Sequence, residues 1–173
     1  MLWRAMRVPV LFKVARLVSE EGAQFAHFAA AAEVGKHLDL ALGGTVRRGP
    51  FSGMVYPGRV AVGSTLYPKL LGSYERELQP CIDEAIARGY RTIVDIGAAE
   101  GYYAIGLARA IPRARVLAFE ANPAGASALD AMAQANGVSD RVTVLGIATL
   151  ANLEALPIEP PTLVVCDCEG CEH

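Results

Sequence analysis

The stretch "TIVDIGAAEGYYAIGLA", residues 92–108, is an apolar run that breaks into small residues and then resumes with helical spacing. Its first part reads as a short buried strand and its last part as a helix, so the break is a strand-to-helix turn. Asp95, Gly97 and Gly101 stand at near-alternating positions across that turn. A carboxylate at the end of a buried strand, followed by a turn stripped of side chains, offers a surface for something to lie against.

The same alternation continues downstream. "ARVLAFEANP" reads as a strand, and "AGASALDAMAQANG" as a helix with Asn122 placed to cap it and Pro123 near its first turn. "RVTVLGIAT" is a strand, "LANLEALPI" a short helix and "PTLVVCDCEG" a fourth strand. Strand and helix in strict alternation imply a parallel sheet with right-handed crossovers. The expected fold is α/β: a Rossmann-like doubly wound parallel sheet, preceded by an N-terminal helical extension.

Upstream the pattern is looser. "GAQFAHFAAAAEVGKHLDLAL" predicts a helix over 22–42 closed by Gly43 and Gly44, in which His27 and His37 read as surface or core-edge residues. "TVRRGPFSGMVYPGRVAVGSTLYPKLLGS" has Gly or Pro every few residues and reads as turns and short extended pieces, with "RVAVG" a candidate strand. "SYERELQPCIDEAIARGY" predicts a helix with Ser73 as N-cap and Gly89 as its stop, kinked or split by Pro80. The expected organisation is an extension or lid over 1–89 and the sheet domain over 90–173. "YPKLLGSYERE" is the part of the lid that is a candidate to reach a bound ligand, although no residue in it belongs to a motif.

Composition narrows the classes. A chain of 173 residues, 53% hydrophobic, suits one domain plus an extension. A net charge of -2 gives no global pull toward nucleic acid or anionic lipid. No apolar stretch approaches the roughly 20 residues of a membrane span. The opening "MLWRAMRVPVLFKVARLVSEEG" reads as an amphipathic first helix rather than a signal peptide, since no small-residue cleavage site follows. Of four cysteines, three crowd the C-terminal end, which is no secreted disulfide framework and points to a reducing cytoplasm.

The turn itself separates two ligand classes. In a doubly wound sheet the ligand sits beyond the carboxyl ends of the strands, beside the first strand. A dinucleotide fingerprint needs G-x-G-x-x-G, but Ala99 and Tyr102 occupy the third and sixth positions. The pattern present is D-x-G-x-x-x-G, through Asp95, Gly97 and Gly101, with Ala98 between the first two glycine positions. S-adenosylmethionine suits that pattern, because an acid attracts its ammonium, whereas it would repel a phosphate. The plain alternative is a strand-to-helix turn with an incidental Asp. Glu120 ends the second strand, 19 positions after Gly101, where a carboxylate can accept both ribose hydroxyls. NAD enzymes use the same device, so Glu120 indicates adenosine without choosing between the two ligands. Asn122 is a second candidate contact, which helix capping explains equally well, and Gly146 to Ala148 fall near an adenine by topology alone.

On "VDIGAAEGYYAIGLA", "VLAFEANP" and "VVCDCEGCE" the sequence resembles the class I S-adenosylmethionine-dependent methyltransferases, and within them the FkbM type. The third stretch is the more specific one, similar to a D-x-E-G-x-E signature through Asp167, Glu169, Gly170 and Glu172. The resemblance covers roughly residues 90–172 and implies methyl transfer from S-adenosylmethionine, commonly to an oxygen on a sugar or natural product. By position it implies that Asp95, Gly97 and Gly101 cradle the methionine end, that Glu120 holds the ribose, and that Asp167 faces the transfer site. The acceptor must be aligned with an already activated methyl group and water kept out. A hydroxyl acceptor also gives up a proton, which either Asp167 or Glu169 could take.

Two departures from the family stand out. The chain ends at His173, just after the fourth strand, where class I methyltransferases continue with three more strands. The expectation is a truncated domain whose C-terminal half is missing and which shows little methyl transfer as it stands; a sheet in the order 3-2-1-4 then leaves "LVVC" at an edge, prone to self-association. Cys166, Cys168, Cys171 and His173 spell C-x-C-x-x-C-x-H, readable as a soft metal site or as small core residues; core packing is the expectation, with no metal. The competing functional readings are an NAD(P)-binding oxidoreductase and a non-catalytic half-domain serving as an interaction module.

Overall fold

The structure, a computed structural model, describes residues 43–58 and 61–168, all of which belong to one compact unit. The helix expected at 22–42 with His27 and His37, the amphipathic opening, and Glu169, Gly170, Cys171, Glu172 and His173 lie outside the described residues. The sheet consists of β1 (Thr92–Ile96), β2 (Arg115–Phe119), β3 (Val142–Leu145) and β4 (Thr162–Cys166). All pairings are parallel and the order is β3-β2-β1-β4, as the sequence predicts. The chain steps from β1 through β2 to β3 in one direction, then returns to the other side of β1. That reversal puts a switch point beside β1, where the strand ends leave a crevice.

β1 is the buried middle of this sheet, with Ile93 and Val94 nearly inaccessible and Val116, Leu117 and Ala118 buried beside them on β2. Helix α3 (Tyr102–Ala110) packs on β1 and β2, burying Ala104, Ile105, Leu107 and Ala108. Each fully buried Ile or Leu side chain contributes about 1.5–3 kcal/mol relative to exposure. Helix α4 (Pro123–Ala135) starts where expected, with the Asn122 side chain accepting from the Ala124 N–H at 2.9 Å. Helix α5 (Leu150–Glu154) is capped by Thr149, whose hydroxyl accepts from the Asn152 N–H.

The upstream segment differs from its sequence reading in three places. Ala61, Val62 and Gly63 form no strand; Arg59 and Val60 of the same stretch lie outside the described residues. The Val62 N–H has found another acceptor, the Glu100 carboxylate at 2.9 Å, so it has no strand partner to seek. "LYPKLL" forms a helix, α1 (Leu66–Leu71), closed by Gly72 in the left-handed conformation. Ser73 is therefore not an N-cap: its hydroxyl donates back to the Pro68 carbonyl at 3.4 Å. A short 3-10 turn (Arg76–Leu78) precedes α2 (Gln79–Arg88), with Pro80 in the first turn of α2, where a missing N–H costs nothing. Gly89 ends α2 in the left-handed region as expected.

Residues 45–56 form a small loop closed by the Thr45–Val55 bridge. Phe51 seats its ring over Gly106 of α3 and meets Tyr102 edge-on at 5.2 Å between centroids. Asn136, just past α4, exchanges two 2.8 Å hydrogen bonds with the Val55 backbone. These contacts hold the loop on the sheet unit and bring the following residues, 61–74, to the crevice.

Candidate functional site

The strand register places the candidate acids at one level. Ile96 pairs with Phe119 and with Cys166, so Gly97, Glu120 and Asp167 follow side by side at the ends of three neighbouring strands. Above them opens a cleft of about 520 Å³, whose wall includes Asp95, Gly97, Ala98, Glu120, Asn122, Ala148 and Asp167. These are all the described candidates from the sequence except Gly101, which does not line the cleft. Its glycine is required for other reasons: φ is 96°, and a Cβ there would press on Ile105 and Leu129 at 3.0 Å.

Gly97 has φ 85°, and a Cβ on it would lie 2.1 Å from the Asp167 carbonyl oxygen. Only a bare backbone lets the exit of β4 come this close to the turn, which the Asp167 N–H fixes by donating to Ile96 O at 2.9 Å. Ala99 follows with φ 49°, the conformation a glycine would take. Ala99 thus adopts a glycine-like conformation without being glycine, while the sixth fingerprint position is held by Tyr102, a buried helix residue.

Asp95 is 2% exposed, and its Oδ2 has no hydrogen-bond partner. Burial is the main cause that raises its pKa to about 7, reinforced by the charges of Asp167 and Glu120 and opposed by a backbone hydrogen bond from Ala104. An acceptor oxygen buried without a donor is costly, and a cationic group at the cleft floor would satisfy it. An ammonium fits this requirement; a diphosphate does not.

Glu120 is already fixed. Its Oε2 accepts from the Ala99 N–H and its Oε1 from the Asn122 N–H, both at 2.7 Å. Gly125 makes room for it, since a Cβ there would stand 2.9 Å from Glu120 Cγ. Each oxygen keeps a second lone pair, so the carboxylate can still accept ligand hydroxyls. Gly146, Ile147 and Ala148 border the same cleft beyond β3. Asp167 is exposed, between Cys166 and Cys168, whose sulfurs are 3.8 Å apart. Among the described residues no group of His, Cys, Asp and Glu is arranged to hold a metal ion.

Several residues in and behind the cleft wall escaped sequence reasoning. Glu100, inside the glycine turn, is fully buried and gathers three donors from the upstream segment. These are Lys69 Nζ at 2.5 Å and the Tyr56 hydroxyl at 3.3 Å on Oε1, and the Val62 N–H at 2.9 Å on Oε2. Burial, then the Glu100 charge, pushes the Tyr56 hydroxyl well above its ordinary range, so it stays a donor. Lys69 lies over the Tyr74 and Tyr102 rings at 4.8 and 5.3 Å. Tyr103 donates to Glu75. The available signal was a lysine in the otherwise apolar "LYPKLL" and an acid in a turn of small residues, each implying a partner that sequence does not name.

No protein-family model and no curated protein matches the chain. Among solved structures it is similar to a cofactor-bound protein, Rv0187 from MTB, at 29% identity over 54% of this chain and 44% of that one, TM-score 0.46. It is similar to an O-methyltransferase from Bacillus cereus in complex with SAH, at 26% identity over 54% and 45%, TM-score 0.46. It is also similar to the O-methyltransferase TomG from Streptomyces achromogenes, involved in tomaymycin synthesis and solved with SAM, at 28% identity over 47% and 39%, TM-score 0.41. The chain spans less than half the length of each of these three proteins.

Proposed function

We propose that this chain binds S-adenosylmethionine and serves an O-methyltransferase, with a hydroxyl on a small molecule or sugar as acceptor. The observation that carries the reading is the buried Asp95 carboxylate, its Oδ2 unpartnered at the floor of a cleft bounded by a bare glycine turn. The cofactor would supply a methyl group already activated by its sulfonium. Asp95 holds the ammonium of the methionine end, and Gly97 and Ala98 leave room for that end to approach the backbone. Glu120, pre-oriented by two backbone amides, accepts the ribose hydroxyls. Asn122 stands beside it at the cleft wall, and Ala148 borders the adenine side.

At the other end of the cleft Asp167 is exposed, and it is the described carboxylate placed to orient an acceptor hydroxyl or take its proton. Glu169, two residues on, is the second candidate by sequence. Tyr74, Tyr102 and Tyr103 line the cleft with aromatic surface. The FkbM type is the finer assignment, supported by "VVCDCEGCE" in the sequence. A reducing cytoplasm suits the cysteine usage, and no described helix is long and apolar enough to cross a membrane.

Calorimetric titration tests the reading. S-adenosylmethionine and S-adenosylhomocysteine should bind and raise the melting temperature, because a ligand that binds only the native state stabilises it. NAD and NADP should do neither. Binding of NAD without S-adenosylmethionine would replace this assignment with the oxidoreductase reading.

A further inference from the structure

Cys166 and Cys168 border the cleft, and the proposed reaction uses neither. An extended chain turns residues two positions apart to one face, and these two sulfurs stand 3.8 Å apart. Small core residues would be buried, but Cys166 is exposed and Cys168 only half-buried. Two thiols in contact, open to solvent and on the wall of a ligand cleft, make a site for oxidation. The backbone between them ties this site to the glycine turn. The Asp167 N–H donates to Ile96 O at 2.9 Å. A Cβ on Gly97 would lie 2.1 Å from the Asp167 carbonyl oxygen and 3.0 Å from Cys168 Cα. The exit of β4 thus rests directly on the turn, and a shift in one is felt by the other.

We infer that Cys166 and Cys168 are a peroxide-sensitive dithiol, whose oxidation to a disulfide loosens the glycine turn and the cleft above it. Cys166, the more exposed, meets the oxidant. Its thiolate sulfur attacks a peroxide oxygen, the O–O bond breaks, and a sulfenic acid forms as hydroxide leaves. The Cys168 thiolate then attacks that sulfur, so the S–S bond forms while the S–O bond breaks and a second hydroxide leaves. The two thiol protons turn both hydroxides into water: two thiols are oxidised and one peroxide is reduced. The sulfurs must close from 3.8 Å to a bonded distance of about 2.0 Å. Two extended residues span at most about 7 Å, whereas a disulfide holds its Cα atoms about 4.4–6.8 Å apart. Closing the ring over Asp167 therefore bends the β4 exit where it touches Gly97. A disulfide strained in this way is readily reopened by thiols. The dithiol chemistry is independent of the S-adenosylmethionine reading; only the change in cofactor affinity rests on it.

The whole chain carrying Cys81→Ser and Cys171→Ser keeps only this pair of its four cysteines. Treated with hydrogen peroxide, it should lose both titratable thiols and two hydrogens of mass, with no oxygen added. Peptide mapping should place the disulfide between Cys166 and Cys168. Hydrogen exchange should quicken at Asp167, Gly97 and Ala98, whose amides hold the β4 exit and the turn. Affinity for S-adenosylhomocysteine should fall at least about fivefold, the lower end of coupling between sites, and return with dithiothreitol. Adding Cys168→Ser should abolish this reversible response. Disulfides formed between chains, or oxidation that stops at sulfenic or sulfinic acid, would overturn the inference. So would an internal disulfide that leaves exchange at Gly97 and Ala98, or the affinity, unchanged. If the reduced chain binds no S-adenosylhomocysteine, the cofactor reading fails, while thiol mapping and hydrogen exchange still decide this one.

Discussion

Asp95 has two tasks that pull against each other: it must be buried to meet a cation, and burial raises its pKa to about 7. The folded state thus holds the proton more tightly than an unfolded carboxylate would between about pH 4 and the folded value. Its contribution to stability is complete at acid pH and is lost as pH rises through that window. Asp95→Asn should remove the dependence, so its stability relative to wild type should grow from pH 5 to pH 8 by about 1–3 kcal/mol in urea titrations. Over pH 6 to 8 the wild type should bind S-adenosylhomocysteine more tightly as Asp95 ionises, and the Asn variant should show no such trend. A wild-type affinity that is flat over this range would mean that Asp95 does not meet the ammonium. Glu120 presents a different case, because its oxygens also brace the Ala99 and Asn122 amides. Glu120→Ala should weaken cofactor binding by about 1.5–3 kcal/mol, with far-UV circular dichroism barely altered. Unchanged affinity would remove Glu120 from the ribose site.

Among the elements, the contact that brings the upstream segment to the cleft is the seat of Phe51 on Gly106. A Cβ at Gly106 would lie 2.5 Å from Phe51 Cγ, and the obstacle is a buried ring rather than the end of a flexible chain. Gly106→Ala should gain about 1 kcal/mol of helix propensity and lose about 1–3 kcal/mol to overpacking, so the ring is the part that yields. Hydrogen exchange should report faster amides at Val46, Gly53 and Met54, whose hydrogen bonds close the loop, with β1 and β2 still protected. Equal loosening of β1 would show that the loop and the sheet open as one unit.

At the scale of the whole molecule the sheet is asymmetric. β2 and β1 are buried between neighbours, whereas β4 pairs on one side only among the described residues, and Val164 is 59% exposed. An apolar strand with free amides and carbonyls along its outer side is a template for pairing with another strand. We expect the isolated chain to self-associate through β4 and Val164→Lys to shift it toward monomer, as read by size-exclusion chromatography with light scattering. A wild type that stays monomeric at concentrations of about 100 μM would show that the edge is protected.

Strand and helix periodicity, the Asn122 cap and the Gly89 stop are local matters, decided within a few residues by hydrogen-bond geometry and side-chain spacing. The sequence by itself therefore determined the four strands, their parallel sense and the glycine turn with its acid. It also marked Asp95, Gly97, Glu120 and Asp167, because all of them sit at strand ends whose positions follow from topology. Tertiary structure alone decided what burial and distant partners control. Gly101 serves packing rather than the cleft wall, and Val62 gives its N–H to Glu100 instead of a strand. Lys69 meets Glu100 across 31 positions of sequence. No pattern of spacing encodes such a pair, since each charge is tolerable in the interior only once the fold has placed the other beside it.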